Sequence, residues 1–515
     1  MKDTYFLERM EYMVMNRRYF LCYSTVTATI LLTSCEDRIN ETEQQKMPTS
    51  TPDPTPTPVE KEIAQTTLFN QELKIPEEID FSKINQTEFK SQKNHIQIYP
   101  DKQTEVLTFQ GTLPNPTIRI KKGDRFDLNF TNGLAETTII HWHGLIVPSE
   151  MDGHPKDAIP NNTTKHYHYT IDQSAGTFWY HTHPHGRTGK EIYQGLSGFY
   201  IIEDEEERNM NLPSGEFELP LAIQDRRFDK NRKLLYKDKE VPQDNNGVMG
   251  DVILVNATPF PYKNVKTRKY RLRILNSSSA RTYKLAFDTI DEFALIGTDA
   301  GLLEEPVMVK SVILAVAERV DIIVDFKDKE IGDVVTLKTL GFKEASNFKL
   351  HPKYPDFDAP MDIMQYRISE KSRDPSSLPA KLTNITRMKE SEAIKSRTVT
   401  MEIIEGNIWT LNKKPYDMHR IDEKVKLGTT EIWVLKNAIH MAHPFHIHGV
   451  RFQVLDRTGK IDFPTDRGWK DTVLVMPFET VRIIVKFTMP GLFVHHCHIL
   501  EHEDNAMMAN FFVEE

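Results

Sequence analysis

Short alternating strands dominate the chain from about residue 66 onward. Hydrophobic and polar side chains alternate over a few residues at a time, turn signals separate these runs, and the 3.6-residue period of a long helix does not occur. The clearest runs are residues 126–130, 199–202, 270–275, 320–326, 399–404, 452–455 and 481–487. Because many short strands bury their apolar faces by stacking two sheets, the pattern predicts an all-β chain of β-sandwiches.

Two stretches interrupt the strand rhythm. Charged, serine- and proline-containing sequence lies near residues 206–217 and again near 372–396. A chain of 515 residues is also too long for one hydrophobic core and suggests several domains. We therefore predict three sandwich domains, at residues 66–210, 211–385 and 386–515.

The first 65 residues have the composition of an export segment and a spacer. In residues 1–35, Arg17 and Arg18 precede an apolar stretch that is too short for a convincing membrane span and ends at Cys35. The arginine pair resembles a twin-arginine signal, and the sequence Leu-Thr-Ser-Cys around Cys35 resembles a lipobox. Residues 36–65, with proline at alternate positions near their end, predict an extended linker. We expect export to the periplasm or cell envelope with a lipid anchor at Cys35; an ordinary cleaved signal is the alternative.

Charge and cysteine content narrow the possible functions. The net charge of −9 is spread along the chain, without the clustered lysine and arginine of a nucleic-acid binder, so we expect no nucleic-acid partner. Of the three cysteines, Cys22 and Cys35 lie in the export segment, which leaves Cys497 alone in the folded body. A disulfide within that body is therefore excluded, and Cys497 is a candidate for a reactive or metal-bound thiolate.

Histidines occur in pairs separated by one residue. Six such pairs are present, at 141/143, 166/168, 181/183, 183/185, 446/448 and 496/498. Chance would give roughly one among 19 histidines in this length. Residues i and i+2 of a strand lie side by side, so such a pair can hold one metal ion or bridge two. Four pairs divide evenly between the first and last domains, which predicts that these domains pack together around a metal site; imidazole alone does not name the metal.

Cys497 indicates copper. Its sulfur should point away from the face used by His496 and His498, toward His443 in the preceding histidine segment. Two further donors follow along the chain, His502 and Met507. Two imidazoles, one thiolate and a weak thioether match a blue-copper electron-transfer centre, and the backbone gives a short covalent route from Cys497 to both neighbouring histidines.

Four sequence segments resemble the copper signatures of the three-domain multicopper oxidases. They are HWHG at 141–144, HTH at 181–183, HPFHIHG at 443–449 and HCHILEHEDNAMM at 496–508. The similarity covers roughly residues 66–515 and is greatest for the bacterial laccase, cuprous oxidase and bilirubin oxidase branch. It implies three cupredoxin-like Greek-key β-sandwich domains and four copper ions, one of type 1, one of type 2 and two of type 3. The implied reaction takes electrons singly from a reducing substrate and reduces dioxygen to water.

The same resemblance implies a ligand set. The type 1 copper would take His443, Cys497 and His502, with Met507 axial. The type 2 copper would take His141 and His446. One type 3 copper would take His143, His181 and His498, and the other His183, His448 and His496.

Two acids match positions that the family uses to deliver protons. Reduction of dioxygen to water consumes protons, and Asp152 and Glu503 stand where the family carries acids for this purpose. Surface carboxylates are the alternative.

Four other histidines have no assigned ligand role. His166 and His168 are expected to face solvent, and His185 is expected to hydrogen-bond a ligand. His495 should lie on the same side of its strand as Cys497, where it either tunes the type 1 centre or fills space. The middle domain is assigned a packing role.

The sequence does not identify the reducing substrate. Phenols and aromatic amines, Cu(I), Mn(II) and bilirubin are all compatible with electron transfer that demands contact rather than a fitted pocket. The chain lacks a methionine-dense insertion and has Ile439 where related cuprous oxidases carry an acid, although Met441 and Met418 are near the motif. We therefore expect oxidation of phenols and aromatic amines without added copper, with oxidation of cuprous ion secondary. We also expect the protein to be a monomer. A copper-sequestering lipoprotein and a copper-free structural protein are the alternatives, and the intact Cys-His motif argues against both.

Overall fold

The computed structural model describes residues 68–84, 86–237, 242–345 and 358–515. The export signal, the lipid anchor and the linker predicted for residues 1–65 lie outside the described residues. Within the described ranges, no helix is long and apolar enough to cross a membrane. The α-helices there are short: α1 (Thr188–Tyr193), α2 (Glu205–Asn209) and α3 (Leu500–Asp504). Single 3-10 turns lie at Ser149–Met151, Pro155–Asp157, Gly215–Phe217, Pro242–Asn246, Lys343–Ala345, Glu390–Glu392 and Pro464–Arg467.

The N-terminal strands form two sheets of five and four strands. One has the order β1-β4-β9-β8-β6 and the other β3-β2-β5-β7, and an aromatic-rich core lies between them. The strands are β1 (Glu78–Asp80), β2 (Thr87–Ile96), β3 (Thr104–Phe109), β4 (Thr117–Lys121), β5 (Arg125–Asn132), β6 (Ile140–His143), β7 (Thr164–Thr170), β8 (Gly176–Thr182) and β9 (Ser197–Glu203).

The middle strands form sheets of seven and five strands. Their orders are β12-β11-β10-β14-β19-β16-β17 and β13-β21-β20-β15-β18. The strands are β10 (Glu218–Arg226), β11 (Val252–Val255), β12 (Thr258–Pro259), β13 (Tyr262–Lys266), β14 (Lys269–Asn276), β15 (Tyr283–Phe287), β16 (Phe293–Thr298), β17 (Gly301–Val309), β18 (Val312–Leu314), β19 (Arg319–Asp325), β20 (Val334–Thr339) and β21 (Met361–Glu370).

The C-terminal strands form two five-stranded sheets. Their orders are β23-β22-β25-β29-β27 and β24-β31-β30-β26-β28. The strands are β22 (Ala393–Ile404), β23 (Ile408–Leu411), β24 (Glu423–Lys426), β25 (Thr430–Asn437), β26 (His443–Ile447), β27 (Phe452–Arg457), β28 (Thr472–Val475), β29 (Thr480–Lys486), β30 (Gly491–Cys497) and β31 (Met508–Glu514). The all-β prediction is confirmed, whereas the exact domain boundaries stay a prediction.

Burial distinguishes the strands that carry the four predicted metal-binding histidine pairs from the others. In β2 and β7, exposed and less exposed positions alternate, as expected where one face meets solvent. By contrast, every residue of β6, β8 and β26 is buried, as are the last five of β30. One face of each of these strands packs into its own sandwich core, so the other must be covered by a different part of the chain.

Candidate metal centre

Strands β6 and β8 present two histidine pairs side by side. They run antiparallel, with His141 opposite His181. Trp142, between the two histidines of β6, points the other way and packs edge-on against Phe126 in the sandwich core, with ring centroids 5.0 Å apart. The alternation predicted from the spacing therefore holds: histidines occupy one face of the strand pair, and large aromatic side chains anchor the opposite face.

Strands β26 and β30 repeat this arrangement at the other end of the chain. His446 lies opposite His496, and Phe445 lies opposite Cys497. Because neighbouring residues of a strand face opposite sides, Cys497 and His496 point to different sides of the same sheet. One strand thus contributes to two separate clusters.

The eight paired histidines meet in one fully buried cluster. Rings from the two ends of the chain stack in pairs: the centroids of His141 and His448 are 3.6 Å apart, and those of His143 and His446 are 3.7 Å apart. All eight side chains are inaccessible to solvent: His141, His143, His181, His183, His446, His448, His496 and His498. The expectation that the two ends pack around a shared site is confirmed.

Ring nitrogens in this cluster face one another at spacings that suit a metal ion. The Nε2 atom of His496 lies 3.3 Å from that of His183 and 3.2 Å from that of His448. Burial lowers the pKa of His183 to about 4, so this imidazole is neutral and offers a lone pair. Nitrogens arranged tetrahedrally at about 2.0 Å from a metal lie about 3.3 Å apart, so this trio fits a metal ion.

The opposite ring nitrogens of several histidines are fixed by backbone carbonyls. Nδ1 of His141 donates to the Asp152 carbonyl at 2.7 Å, and Nδ1 of His446 donates to the Asp471 carbonyl at 2.8 Å. His181 donates to the Thr182 carbonyl at 2.9 Å. The Nε2 atoms of these three rings are buried without a protein hydrogen-bond partner. Such orientation of one nitrogen, with the other left free, is the arrangement typical of histidine ligands.

The spatial grouping agrees with the predicted ligand sets only in part. His183, His448 and His496 form one compact group as predicted. His141, His143 and His181 form another, and His141 also groups with His446 and His448. His498 belongs to none of these groups, although its ring centroid is 5.1 Å from that of His143 and 5.4 Å from that of His181. The division into type 2 and type 3 ligands therefore stays a prediction.

A second cluster surrounds Cys497. Its Sγ lies 3.3 Å from Nδ1 of His443 and 3.6 Å from Nδ1 of His502, and these two nitrogens are 3.3 Å apart. Burial raises the pKa of the Cys497 thiol, so a thiolate here requires a bound cation. Met507 is fully buried, and its carbonyl accepts a hydrogen bond from the Cys497 N–H at 3.1 Å. The four predicted type 1 residues thus lie in one place.

Two residues beside this cluster were missed by sequence reasoning. The Trp409 ring stacks on the His502 ring at a centroid distance of 3.7 Å, and the Asn246 carbonyl accepts a hydrogen bond from His502 Nε2 at 3.1 Å. His502 is consequently buried on both sides. Neither neighbour lies in a motif or near His502 in sequence, so no local signal pointed to them.

The two predicted acids are buried against the eight-histidine cluster. Asp152 Oδ2 accepts a hydrogen bond from His448 Nδ1 at 2.7 Å, and burial raises the Asp152 pKa well above its usual value. Glu503 lies 3.2 Å from His496 Nδ1 and 3.5 Å from His183 Nε2. Burial alone would raise the Glu503 pKa, but the neighbouring histidines outweigh it and hold this pKa low. The alternative that these are surface carboxylates is wrong.

The remaining histidines lie apart from both clusters. The rings of His166 and His168 stack on an exposed face, as expected. His185 is exposed and packs edge-on against Tyr416, with centroids 5.0 Å apart. His495 is buried beside Trp433, with centroids 5.1 Å apart, on the Cys497 side of β30.

The fold and site together define a class of protein: a β-sandwich metalloprotein in which a cysteine-containing centre adjoins a histidine-only cluster. Comparisons with known proteins agree. Multicopper oxidase family models match residues 90–207 and 380–515. The chain is 35% identical over 428 residues to multicopper oxidase mco of Staphylococcus haemolyticus, covering 82% of this chain and 87% of that one. It is 33% identical over 468 residues to the laccase of Bacillus subtilis, covering 79% and 89% respectively.

A solved structure shows the same similarity. The McoA multicopper oxidase of Aquifex aeolicus matches with a TM-score of 0.80 and 36% identity, over 86% of this chain and 99% of that one. This chain belongs to the multicopper oxidase family, and its sandwiches are cupredoxin-like. The family couples copper-dependent oxidation of a reductant to reduction of dioxygen, and the histidine groups described above fit copper.

Proposed function

We propose that this protein is a laccase-like oxidase that takes electrons singly from phenols and aromatic amines and uses four of them to reduce dioxygen to water. The observation that carries the proposal is the end of strand β30, where Cys497 of one cluster stands in the chain between His496 and His498 of the other. A storage protein needs affinity alone, whereas a covalent path between two kinds of metal site serves electron transfer.

Four copper ions would occupy the two clusters. When bound, they accept electrons one at a time and deliver them to dioxygen. The residues proposed to hold them are those that the family resemblance implies: His443, Cys497, His502 and Met507 for type 1; His141 and His446 for type 2; His143, His181 and His498, then His183, His448 and His496, for type 3. The unpartnered buried nitrogens and the short spacings between donor atoms support this set.

Asp152 and Glu503 are proposed to supply protons. Burial raises the Asp152 pKa, which favours its protonated form, and Asp152 contacts His448 directly. Glu503 lies on helix α3, one residue after His502, and contacts His183 and His496. The two acids therefore approach the cluster from different parts of the chain.

The surroundings of the Cys497 cluster support organic donors over cuprous ion. Ile439 and Met441 are buried in the same hydrophobic core as Cys497, along with Met249. These thioethers are therefore packed inside the protein, where they do not form a solvent-facing site for a soft metal ion. Oxidation of Cu(I) or another metal ion is the second candidate, favoured by the nearness of Met441 to His443 in sequence.

Turnover of four donors by the copper-loaded protein tests the proposal. Oxygen consumption would be measured with a phenol or aromatic diamine, with Cu(I), with Mn(II) and with bilirubin, each with and without excess Cu(II). We expect phenol turnover without added copper. Negligible phenol oxidation until excess Cu(II) is supplied would favour the metal-oxidase alternative, and copper binding without oxygen consumption would favour storage.

A further inference from the structure

A buried arginine of the middle domain reaches the eight-histidine cluster through one aspartate. Arg319, at the start of β19, donates from its two terminal nitrogens to the carboxylate oxygens of Asp471, at 2.8 and 2.5 Å. Its Nε donates to the Thr177 carbonyl in β8, at 2.9 Å. Both charged side chains are fully buried. One guanidinium thus joins strands from the first and middle domains to the segment before β28.

Asp471 in turn contacts a histidine of the first domain. Its Oδ1 lies 3.1 Å from Nε2 of His143, and the neighbouring Thr472 hydroxyl lies 3.2 Å from the same nitrogen. The Thr472 hydroxyl donates to Asp471 Oδ1 at 2.9 Å. Both Asp471 oxygens accept from Arg319, and the Thr472 hydroxyl donates its hydrogen to Asp471 Oδ1. The two atoms that face Nε2 of His143 are therefore acceptors, so this nitrogen carries the N–H.

This contact sets His143 apart from its neighbours. His141, His181 and His446 have Nδ1 fixed by a carbonyl and Nε2 without a partner, whereas His143 has Nε2 fixed and Nδ1 without a partner. A neutral imidazole has one N–H and one lone pair, so fixing the proton at one nitrogen determines which nitrogen can bind metal. His143 therefore offers Nδ1 to the cluster.

Asp471 itself is poorly placed as a metal ligand, although it lies close to His143 and His446. Its oxygens already accept from Arg319, Thr472 and His143. Moreover, the nitrogen of His143 that faces Asp471 is Nε2, while the nitrogen left free is Nδ1 on the other side of the ring. The contact orients a ligand rather than completing a coordination shell.

We infer that Asp471, held in place by Arg319 of the middle domain, is a positioning residue that fixes the tautomer of His143 so that Nδ1 is its metal-binding atom. The inference rests on the proposed function, because it assumes that copper occupies the cluster. It also gives the middle domain a part in the chemistry, beyond the packing role expected from sequence.

Replacing Asp471 by asparagine tests the inference. The amide can turn its NH2 toward His143 Nε2, which then favours the tautomer with the proton on Nδ1 and removes the lone pair from the cluster. In the copper-loaded Asp471→Asn variant we expect the eight-histidine cluster to release copper to a chelator about 10- to 100-fold more readily. The electron paramagnetic resonance signal of its type 2 copper should shift, while the blue absorption of the Cys497 centre is retained.

Two controls separate positioning from stability. Asp321→Asn removes a different buried carboxylate, on β19, which pairs with Arg271 and Arg273 and accepts a hydrogen bond from the Thr177 hydroxyl. This variant should keep the parental copper content and spectrum. If Asp471→Asn does not fold, Thr472→Val and Thr472→Ser test the inference instead. Thr472→Val loses the hydroxyl that contacts His143, whereas Thr472→Ser keeps it. Weaker copper retention and a shifted spectrum in Thr472→Val alone support the inference.

The outcomes are distinguishable. A parental chain that does not retain four coppers would overturn both the proposed function and this inference. The inference alone would be overturned if the parental chain retains four coppers and Asp471→Asn has the parental copper retention and spectrum. If Asp471→Asn is not obtained, the same result in Thr472→Val would overturn it.

Discussion

Burial shifts the pKa values of single residues in both clusters. His443 has a pKa lowered to about 3 by burial, so its imidazole is neutral and can donate a lone pair at any physiological pH. The opposite effect on Cys497, whose thiol pKa is raised, makes its thiolate dependent on a bound cation. Donor strength in both clusters therefore comes from the surroundings of each side chain as much as from its chemical type.

At this scale, Cys497→Ser should abolish both the blue colour and the oxidase turnover. Serine is close in size but supplies neither the sulfur charge-transfer transition nor the electron path through a thiolate. Visible absorption and oxygen consumption would be measured alongside the thermal unfolding midpoint, which should stay near the parental value. Blue absorption that survives the substitution would show that Cys497 is not the type 1 ligand.

Asp152→Asn should keep every copper but slow the reoxidation of reduced enzyme by dioxygen about 100-fold or more. The amide oxygen can still accept from His448, at the position where Asp152 Oδ2 accepts at 2.7 Å, yet it has no acid proton to give. Glu503→Gln should also slow reoxidation, because the low pKa of Glu503 leaves a carboxylate that can take up and pass on a proton, which an amide cannot do. Asp157→Asn, a nearby carboxylate paired with Lys156, is the matched control. Parental reoxidation in both acid variants would contradict the proton roles.

At the scale of elements, a segment of the middle domain covers His502, a proposed type 1 ligand. Residues 244–250, the covering segment, contact helix α3 through two backbone groups: the Asn246 carbonyl accepts from His502, and the Val248 N–H donates to Glu501 at 3.0 Å. His502 is fully buried as a result. We therefore expect a reducing substrate to meet the covering segment before it can approach His502.

Gly247→Ala should loosen the covering segment. Gly247 has a φ of 132°, a conformation that alanine adopts only at a cost of about 1–3 kcal/mol. We expect kcat/KM for a bulky phenol to rise relative to that for a small one-electron donor, because access to His502 improves. Gly332→Ala, in the turn between β19 and β20, is the control, because Gly332 has a φ of 96° and open space around the added methyl group. An unchanged ratio would show that the covering segment does not select donors.

At the scale of the whole molecule, buried ion pairs join the domains. Arg119 in β4 and Arg273 in β14 both contact Glu218, at 3.3 and 2.9 Å. Burial alone would raise the Glu218 pKa, but Arg273, Arg271 and Arg119 outweigh it and lower the pKa to about 2. The folded state therefore binds the Glu218 proton more weakly than the unfolded chain does.

The sign of this shift predicts an acid-sensitive contact. A depressed carboxyl pKa stabilises the fold above the unfolded-state value near 4.5, and that stabilisation, on the order of 3 kcal/mol, is lost as pH falls toward 2. Glu218→Gln should lower the free energy of unfolding at pH 7, and the difference from the parent should shrink between pH 4.5 and 2. Denaturant unfolding of copper-free protein measures this. Exposed Glu216→Gln is the control, and a difference that does not vary with pH would contradict the prediction.

Sequence alone predicted the strands and the residues that come together in the two clusters. Alternation along β30 already placed Cys497 and His496 on opposite faces, since a strand repeats every two residues whatever surrounds it. The histidine pairs likewise followed from spacing, and the resemblance supplied their expected grouping. These are local properties, readable from neighbours in the chain.

Tertiary structure decided which distant residues contact the side chains of the two clusters. Trp409, Asn246, Asp471 and Arg319 lie outside every motif, yet they stack on, cap or orient His502 and His143. Their roles depend on how three sandwiches pack, and packing is fixed by shape and burial across hundreds of residues rather than by any periodicity. For the same reason, Asp152 and Glu503 were identified from sequence as acids, but only the packing of the first and last domains made them buried ones.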